Sequence, residues 1–367
     1  MGNKLELLAP AGSMDCLKAA LLAGADAVYL AGKRFGARAF ASNFDEEGLR
    51  WARRVTKALG RKLYITLNTI VFEHEWNLLA QSLDFMEELQ PDALIIQDLG
   101  IAVELRRRCS RIPLHLSTQG AWYGQGGAEE LKELGITRVI LPRETSREEI
   151  TSIVDNNPFE VEVFVHGAMC YSISGRCFWS AALGPRSGNR GTCAQPCRRD
   201  YKIENSNYSG CIFSPRDMRL IKEVDALKKT GVSSLKIEGR MKSPEYVYQV
   251  VRAYRKALDG KTISLADESA LDEVFSRASS TGFFFGPQKP SSWKTGNNPG
   301  REGIVVGITT GKFSNNGLAE VVCKNTEILA GDGLFWYEGN EQSGARITWT
   351  QKDKSRKNTY WVRGLPK

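Results

Sequence analysis

The stretch LELLAPAGSMDCLKAALLAGADAVYLA, residues 5–31, decides the fold. Its two ends, Leu5 to Ala9 and Ala27 to Ala31, are apolar runs too short for helices and bounded by turn residues, as buried strands are. Between them the apolar residues follow a helical period, with Ser13 placed to cap the start and Gly24 to end it. Ala23-Gly-Ala-Asp26 then makes a tight turn from helix to strand. A strand, a helix and a second strand in so few residues form a βα unit of a parallel sheet.

Working outward, the same alternation recurs. Further strands are expected at Leu63 to Asn68, Ala93 to Gln97, Pro113 to Ser117, Arg138 to Leu141, Val161 to His166 and Ser234 to Glu238. Asp45 can cap the second helix, and Gly60, Gly135 and Gly231 fall where helices should end. Eight strands with helices between them predict an α/β fold, a (βα)8 TIM-like barrel over residues 1–285, in preference to an open doubly wound sheet. The one long interruption, residues 167–212, is rich in Gly, Ser, Arg and Cys and follows the seventh strand. A long irregular loop at that end of a barrel is usually functional.

Helices are expected at Pro244 to Leu258 and near Ser269 to Arg277, followed by a Gly/Pro/Ser/Asn-rich linker at 286–300. Beyond it, Gly303 to Ile308, Leu318 to Cys323, Gly333 to Tyr337 and Ala345 to Trp349 alternate apolar and polar residues, which predicts a small C-terminal antiparallel β domain over 301–367.

The 367 residues are 42% hydrophobic and 25% charged, which argues against a predominantly disordered chain. No stretch of about 18 apolar residues occurs and the first residues do not resemble a signal peptide, so a cytoplasmic protein without membrane contact is expected. The net charge of +8 favours polyanionic partners such as RNA.

In a reducing compartment, cysteines serve as core thiols, metal ligands or redox groups rather than disulfides. Four of the eight fall within 28 residues: Cys170, Cys177, Cys193 and Cys197, with six, fifteen and three residues between them. That spacing is neither a ferredoxin run nor a paired zinc ribbon. It leaves three readings open: ordinary thiols, zinc, or an iron-sulfur cluster. The same loop carries Arg176, Arg186, Arg190, Arg198 and Arg199 and no carboxylate between Gly167 and Arg199. Such a cationic loop favours thiolates and attracts phosphate or carboxylate.

Other candidates sit at strand ends, where barrel enzymes place their chemistry. His166 ends the seventh strand and either acts on a substrate proton or hydrogen-bonds the cysteine loop. Lys236, Glu238 and Arg240 close the eighth, and Arg38 and Arg143 follow the second and sixth. Arginines converging on one face suit a dicarboxylate. Asn68, Gln97 and Gln119 are weaker candidates for hydrogen bonding a base, as are Tyr29 and Phe35 for stacking on one. Peptidase machinery is hard to find: there is no Gly-x-Ser-x-Gly, and His74-Glu-Trp-Asn keeps only the first two residues of the His-Glu-x-x-His zinc motif. A cysteine nucleophile paired with His166 is the arrangement that remains.

The segment Glu162-Val-Phe-Val-His-Gly-Ala-Met-Cys170, followed by Gly175-Arg-Cys177-Phe-Trp-Ser180, resembles the signature of the collagenase-like peptidases, the U-thirty-two family of uncertain catalytic type. Leu8 to Ser13, Gly24 to Tyr29, Phe35 to Arg38 with Asn43-Phe44, Asn189-Arg-Gly191 and Ser234 to Met241 are similar to further family blocks, so the resemblance spans most of residues 4–290. It implies one of two activities. One is the peptidase activity of the family name. The other is oxygen-independent hydroxylation, of a pyrimidine in tRNA or rRNA with prephenate as hydroxyl donor or in ubiquinone synthesis, by relatives that carry a 4Fe-4S cluster on four cysteines.

Carried onto this chain, the resemblance makes Cys170, Cys177 and Cys193 ligands. The fourth family cysteine corresponds to Arg219, in Ser214-Pro-Arg-Asp217-Met-Arg219, which moves that role to Cys197 or Cys211. The expectation is therefore an RNA hydroxylase with Cys170, Cys177, Cys193 and Cys197 as metal ligands, His166 and Glu238 as catalytic residues, and Arg38, Arg143, Lys236 and Arg240 binding substrate. The alternatives are a peptidase and a non-catalytic cluster-bearing or RNA-binding scaffold. The basic stretches Arg106-Arg-Arg108 and Arg356-Lys357 are candidate phosphate contacts.

Overall fold

In the computed structural model, eight parallel strands pair in chain order: β1 (Glu6–Pro10), β2 (Ala27–Leu30), β3 (Lys62–Leu67), β4 (Ala93–Ile96), β5 (Leu114–Leu116), β6 (Ile136–Ile140), β7 (Glu160–Gly167) and β8 (Ser234–Ile237). The ring closes because β8 pairs with both β7 and β1, with Ser234 opposite Glu162 and Leu8 opposite Lys236. The fold is thus the expected TIM-like barrel. The structure describes residues 5–124, 126–174, 176–206, 209–275, 277–294, 304–324, 327–338 and 341–365.

The chain forms two compact units, Met1–Arg301 and Glu302–Lys367. In the first, the N-cap residues read from sequence are in place: the Ser13 hydroxyl accepts from the Cys16 amide and the Asp45 carboxylate from the Gly48 amide. Nearly every residue of β1, β2 and β4 is buried, since parallel strands under a helical layer have no wet face. Gly12, just after β1, has no alternative at its position. A Cβ there would lie 1.7 Å from the Arg240 carbonyl oxygen, so the β1 and β8 loops meet at backbone contact.

The lower barrel interior is ionic. Arg138, 2% exposed, donates to Glu6 at 2.6 Å, Glu162 at 3.1 Å and Glu160 at 2.6 Å. Tyr64 donates to Glu6 and Lys236 to Glu162. Each buried charge therefore faces an opposite one, the condition under which such groups are tolerated.

The loop after β7 has its own small core. Tyr171, Trp179, Tyr201 and Phe213 pack with ring centroids 5.2–6.3 Å apart, around the helix Trp179–Leu183. The strand Asp217–Arg219 then returns antiparallel to the end of β7, an element absent from the sequence reading. The helix Leu265–Val274 follows, and of the stretch read as a linker, residues 286–294 include the short helix Pro290–Trp293 and pack on the barrel unit: Arg216 donates to the Lys294 carbonyl at 3.0 Å. Residues 295–300 lie outside the described residues.

The second unit is antiparallel, as expected, and the expected strands Leu318 to Cys323 and Gly333 to Tyr337 are found within one residue of their bounds, while the other two differ. Its main sheet comprises Gly307–Phe313, Ala319–Cys323, Thr359–Arg363 and Trp349–Lys352, beside a hairpin of Gly333–Glu338 and Glu341–Arg346. The first strand starts at Gly307, and Gly303 lies outside the described residues. Ala345 to Trp349 is not one strand but the junction of two, and the sequence reading missed Thr359–Arg363. Val321, Cys323, Ile328, Ile347, Tyr360 and Val362 form its core.

Candidate functional site

The loops that follow the barrel strands bring the strand-end cations around one carboxylate. Glu238 accepts from Arg38 at 3.2 Å and from Arg143 at 3.1 Å. Arg143 also lies 3.8 Å above the Phe164 ring, which fixes its guanidinium over the barrel interior. Arg240 donates to the Thr66 hydroxyl at 3.0 Å. Burial alone would raise the Glu238 carboxyl, but Arg38, Arg143, Arg240 and Lys236 hold it down at about 2. Burial, with repulsion from Arg38, lowers Arg240 to about 10. Three arginines against one carboxylate leave the mouth cationic, an environment suited to a carboxylate or phosphate ligand.

The Glu238 pKa has a testable sign. A depressed carboxyl stabilises the fold fully above its ordinary value of 4.5 and loses that contribution as pH falls towards 2. Glu238→Gln is expected to unfold at lower urea than wild type at pH 7, and to show a flatter loss of stability between about pH 5 and pH 2. Parallel wild-type and variant curves over that window would show that Glu238 is not the carboxyl held by these arginines.

Lys236 does not reach this mouth. It is 4% exposed, donates to Glu162 at 2.8 Å and lies 4.5 Å from the Tyr29 ring centroid, in the ionic layer below. Its ammonium is engaged in an ion pair with Glu162. Tyr29 is buried beside it, its hydroxyl donating to the Ile237 carbonyl, and so is not available for stacking on a base.

His166 lies near the end of β7, as expected. A bulge between Lys236 and Ile237 shifts the β7–β8 register, and the imidazole packs against Tyr246 and Tyr254 of the helix Pro244–Leu258, with centroids 6.0 and 5.6 Å away. Burial, reinforced by Arg219 and Lys242, lowers its pKa to about 3, which favours the neutral ring. Its Nδ1 has no hydrogen-bond partner among the described residues, so that atom holds neither the cysteine loop nor a nucleophile.

The cysteines divide into two groups. Burial raises Cys197 to about 11, and Cys170, Cys193 and Cys177 each add to the rise, which places all four within electrostatic reach. Cys170 reaches the surface, yet desolvation raises its thiol, against the pull of Arg143, and it in turn acts on Arg38. Cys170 therefore lies within electrostatic reach of Arg38 and Arg143 at the barrel mouth. Cys211 stands apart, buried with its thiol donating to Asp200 at 3.0 Å. Arg219, at the position of the missing family cysteine, pairs with Asp272.

Among the described residues no three His, Cys, Asp or Glu side chains are drawn to metal-ligand spacing. The chemistry of the donor set nonetheless fits a soft metal centre, since four thiols share one loop and interact with one another. Arg198, next to Cys197, was read from sequence only as part of the loop's charge. It is partly buried and donates to the Ser214 hydroxyl at 2.8 Å, the Pro215 carbonyl, and the Met169 carbonyl at 3.1 Å, tying the backbone beside Cys170 to that beside Cys197. No sequence signal distinguished it from its four neighbours.

Four further candidates have partners within the fold. Asn68 accepts from the Ala37 amide and so shapes the loop bearing Arg38. Arg106 donates to the Ile112 carbonyl, Arg108 pairs with Glu104 and Asp84, and Arg356 pairs with Glu320 and Asp353.

The description "Peptidase family U32" matches residues 12–294. The chain is 37% identical over 304 residues to a tRNA hydroxylation protein P1 of Bacillus subtilis, covering 77% of this chain and 72% of that protein. It is 33% identical over 363 residues to a collagenase of Porphyromonas gingivalis, covering 90% and 86%. It is also 34% identical over 387 residues to the 23S rRNA 5-hydroxycytidine C2501 synthase of Escherichia coli, covering 99% of this chain and 57% of that longer protein. A match through nearly the whole barrel unit, with relatives of this identity over most of the chain, makes the protein a member of peptidase family U32.

Proposed function

We propose that this protein is an RNA-modifying hydroxylase that adds a hydroxyl to a pyrimidine of tRNA or rRNA, with prephenate as the hydroxyl donor and an iron-sulfur cluster on Cys170, Cys177, Cys193 and Cys197. The observation that carries the reading is a set of four mutually interacting thiols on one loop, of which Cys170 lies within electrostatic reach of Arg38 and Arg143 at the barrel mouth. Relatives named for tRNA and rRNA hydroxylation support it. Exchanging a ring hydrogen for a donor's hydroxyl oxidises the pyrimidine carbon by two electrons and reduces the donor carbon by two. A bound 4Fe-4S cluster supplies electron-transfer chemistry that zinc, the other metal suited to four thiolates, lacks.

The protein's own residues supply binding and orientation. Arg38 and Arg143, held in place by Glu238, and Arg240, held by Thr66, offer bidentate donors to the two carboxylates of prephenate. The target base must leave its stack to reach this mouth. The peptidase reading rests on the family name and the collagenase relative; a Cys–His pair built on His166 has no support in its surroundings.

The direct test is to incubate anaerobically prepared protein with RNA and prephenate and to weigh the digested nucleosides. One pyrimidine nucleoside should gain the mass of one oxygen only when prephenate is present, and Arg143→Met should reduce the yield by roughly 10²-fold or more, as loss of a positioning clamp does. Unchanged RNA, together with cleavage of a collagen substrate, would favour the peptidase.

A further inference from the structure

We infer that Phe40 and Phe72, with Arg186 and Arg190 stacked upon them, form a platform beside the Cys193 loop that binds single-stranded RNA flanking the reacting base; this rests on the hydroxylase reading above. Phe40 is 59% and Phe72 49% exposed. Isolated exposed rings are ordinary on a protein surface. These two share a setting: Phe40 lies on the loop after β2 and Phe72 on the loop after β3, both at the end of the barrel that carries the site.

Each ring has a guanidinium on it, Arg186 at 4.9 Å from the Phe40 centroid and Arg190 at 4.6 Å from that of Phe72, and Phe72 is also stacked with His74 at 5.7 Å, a ring that an incoming base would extend or displace. The platform is built into the cysteine loop. Arg186 donates to the carbonyls of Thr192 at 2.7 Å and Cys193 at 2.9 Å, and Arg190 donates to the Ile70 carbonyl and to Glu75. The Ala39 amide donates to the Gly191 carbonyl at 3.2 Å, and a Cβ on Gly191 would lie 2.6 Å from the Gly36 carbonyl oxygen. The two phenylalanine loops are thus fastened to the segment that leads to Cys193.

Alternating rings and guanidinium groups match the alternating bases and phosphates of an unpaired strand. The charge of the loop agrees, because five arginines and no carboxylate lie between Gly167 and Arg199 and only Arg190 of the platform pair is neutralised, by Glu75, leaving Arg186 free of a carboxylate partner among the described residues. A peptide partner would use the rings but not this excess of positive charge.

The experiment measures anisotropy of a labelled single-stranded oligouridine, a duplex RNA and a collagen-like peptide with the full-length protein and its Phe40→Ala, Phe72→Ala and Lys57→Ala variants. Lys57, exposed in the last turn of the helix Glu46–Ala58, marks the opposite end of the barrel. Each phenylalanine variant should weaken oligouridine binding by about 5- to 150-fold, equivalent to the 1–3 kcal/mol of one base–aromatic stack, with the salt dependence unchanged because no charge is lost. Duplex binding should change far less, and Lys57→Ala should matter by no more than about 2-fold. Oligouridine bound equally well by wild type and both phenylalanine variants would overturn the platform while leaving the hydroxylase reading intact. Failure of the wild type to bind any RNA would overturn both. Peptide binding that depends on Phe40 and Phe72, without RNA binding, would reassign the surface to a protein substrate.

Discussion

Cys197→Ser is expected to abolish incorporation of iron and sulfide, whereas Cys211→Ser should leave both at wild-type levels. The contrast follows from position. Cys197 is acted on by Cys170, Cys177 and Cys193 together, while Cys211 is buried and donates to Asp200. A four-cysteine centre that loses one ligand loses its closed coordination shell, so the effect should be near total. Anaerobic purification with iron and sulfide analysis, and absorbance near roughly 400 nm, reads the result directly. Iron retained in Cys197→Ser but lost in Cys211→Ser would reverse the assignment, and a colourless, iron-free wild type after reconstitution would remove the cluster and return zinc or free thiols to consideration.

The barrel was legible from sequence because its signals are local. Apolar runs such as Ala27 to Leu30 and caps such as Ser13 depend only on near neighbours, and both appear in the structure where they were expected. The convergence of Arg38, Arg143 and Glu238 was legible for a related reason: a barrel carries every strand end to one face, so strand position predicts proximity. Where a residue's surroundings were not legible, a long-range feature decided them. Lys236 differs from Arg240 only by lying on the strand instead of past its end, and Glu162 across the barrel holds it in the lower layer. A register shift no sequence pattern announces placed His166 against Tyr246 and Tyr254. The strand Asp217–Arg219 is too short to carry a period of its own, and exists because the end of β7 offers it an unpaired edge. In the C-terminal unit, Thr359–Arg363 has the alternation of a strand but follows a run of charged residues that masked its start.

Arg138→Met should destabilise the protein by about 3–5 kcal/mol at pH 7, the cost of removing one partner from a buried ionic network. Arg138 was read from sequence only as the first residue of a strand, yet it is the largest of the side chains that are almost fully enclosed. Methionine approximates its volume, so little of the loss would come from a cavity; the cost arises because Glu6 and Glu162 remain buried without their shared cation. Lys236 still neutralises Glu162, and Tyr64 still donates to Glu6, which makes Glu6 the more exposed to the change in charge balance.

The pH dependence should then invert at that carboxyl. In the wild type, burial alone would raise Glu6, but Arg138 chiefly, with Tyr64 and Lys62, takes it below its ordinary value of 4.5, so its contribution is present above that pH and is lost as pH falls. Without Arg138, burial prevails and the carboxyl titrates above its ordinary value. Stability then rises as pH falls through that raised value, because the folded state binds the proton more tightly than the unfolded chain. Urea unfolding from pH 8 to pH 5 measures both effects: a lower midpoint at pH 7, and a variant that recovers part of the deficit on acidification while the wild type does not. A variant within about 1 kcal/mol of wild type across that range would mean that water or a neighbouring group already compensates Glu6, and that the ionic layer fixes the geometry of the barrel without being needed for its stability.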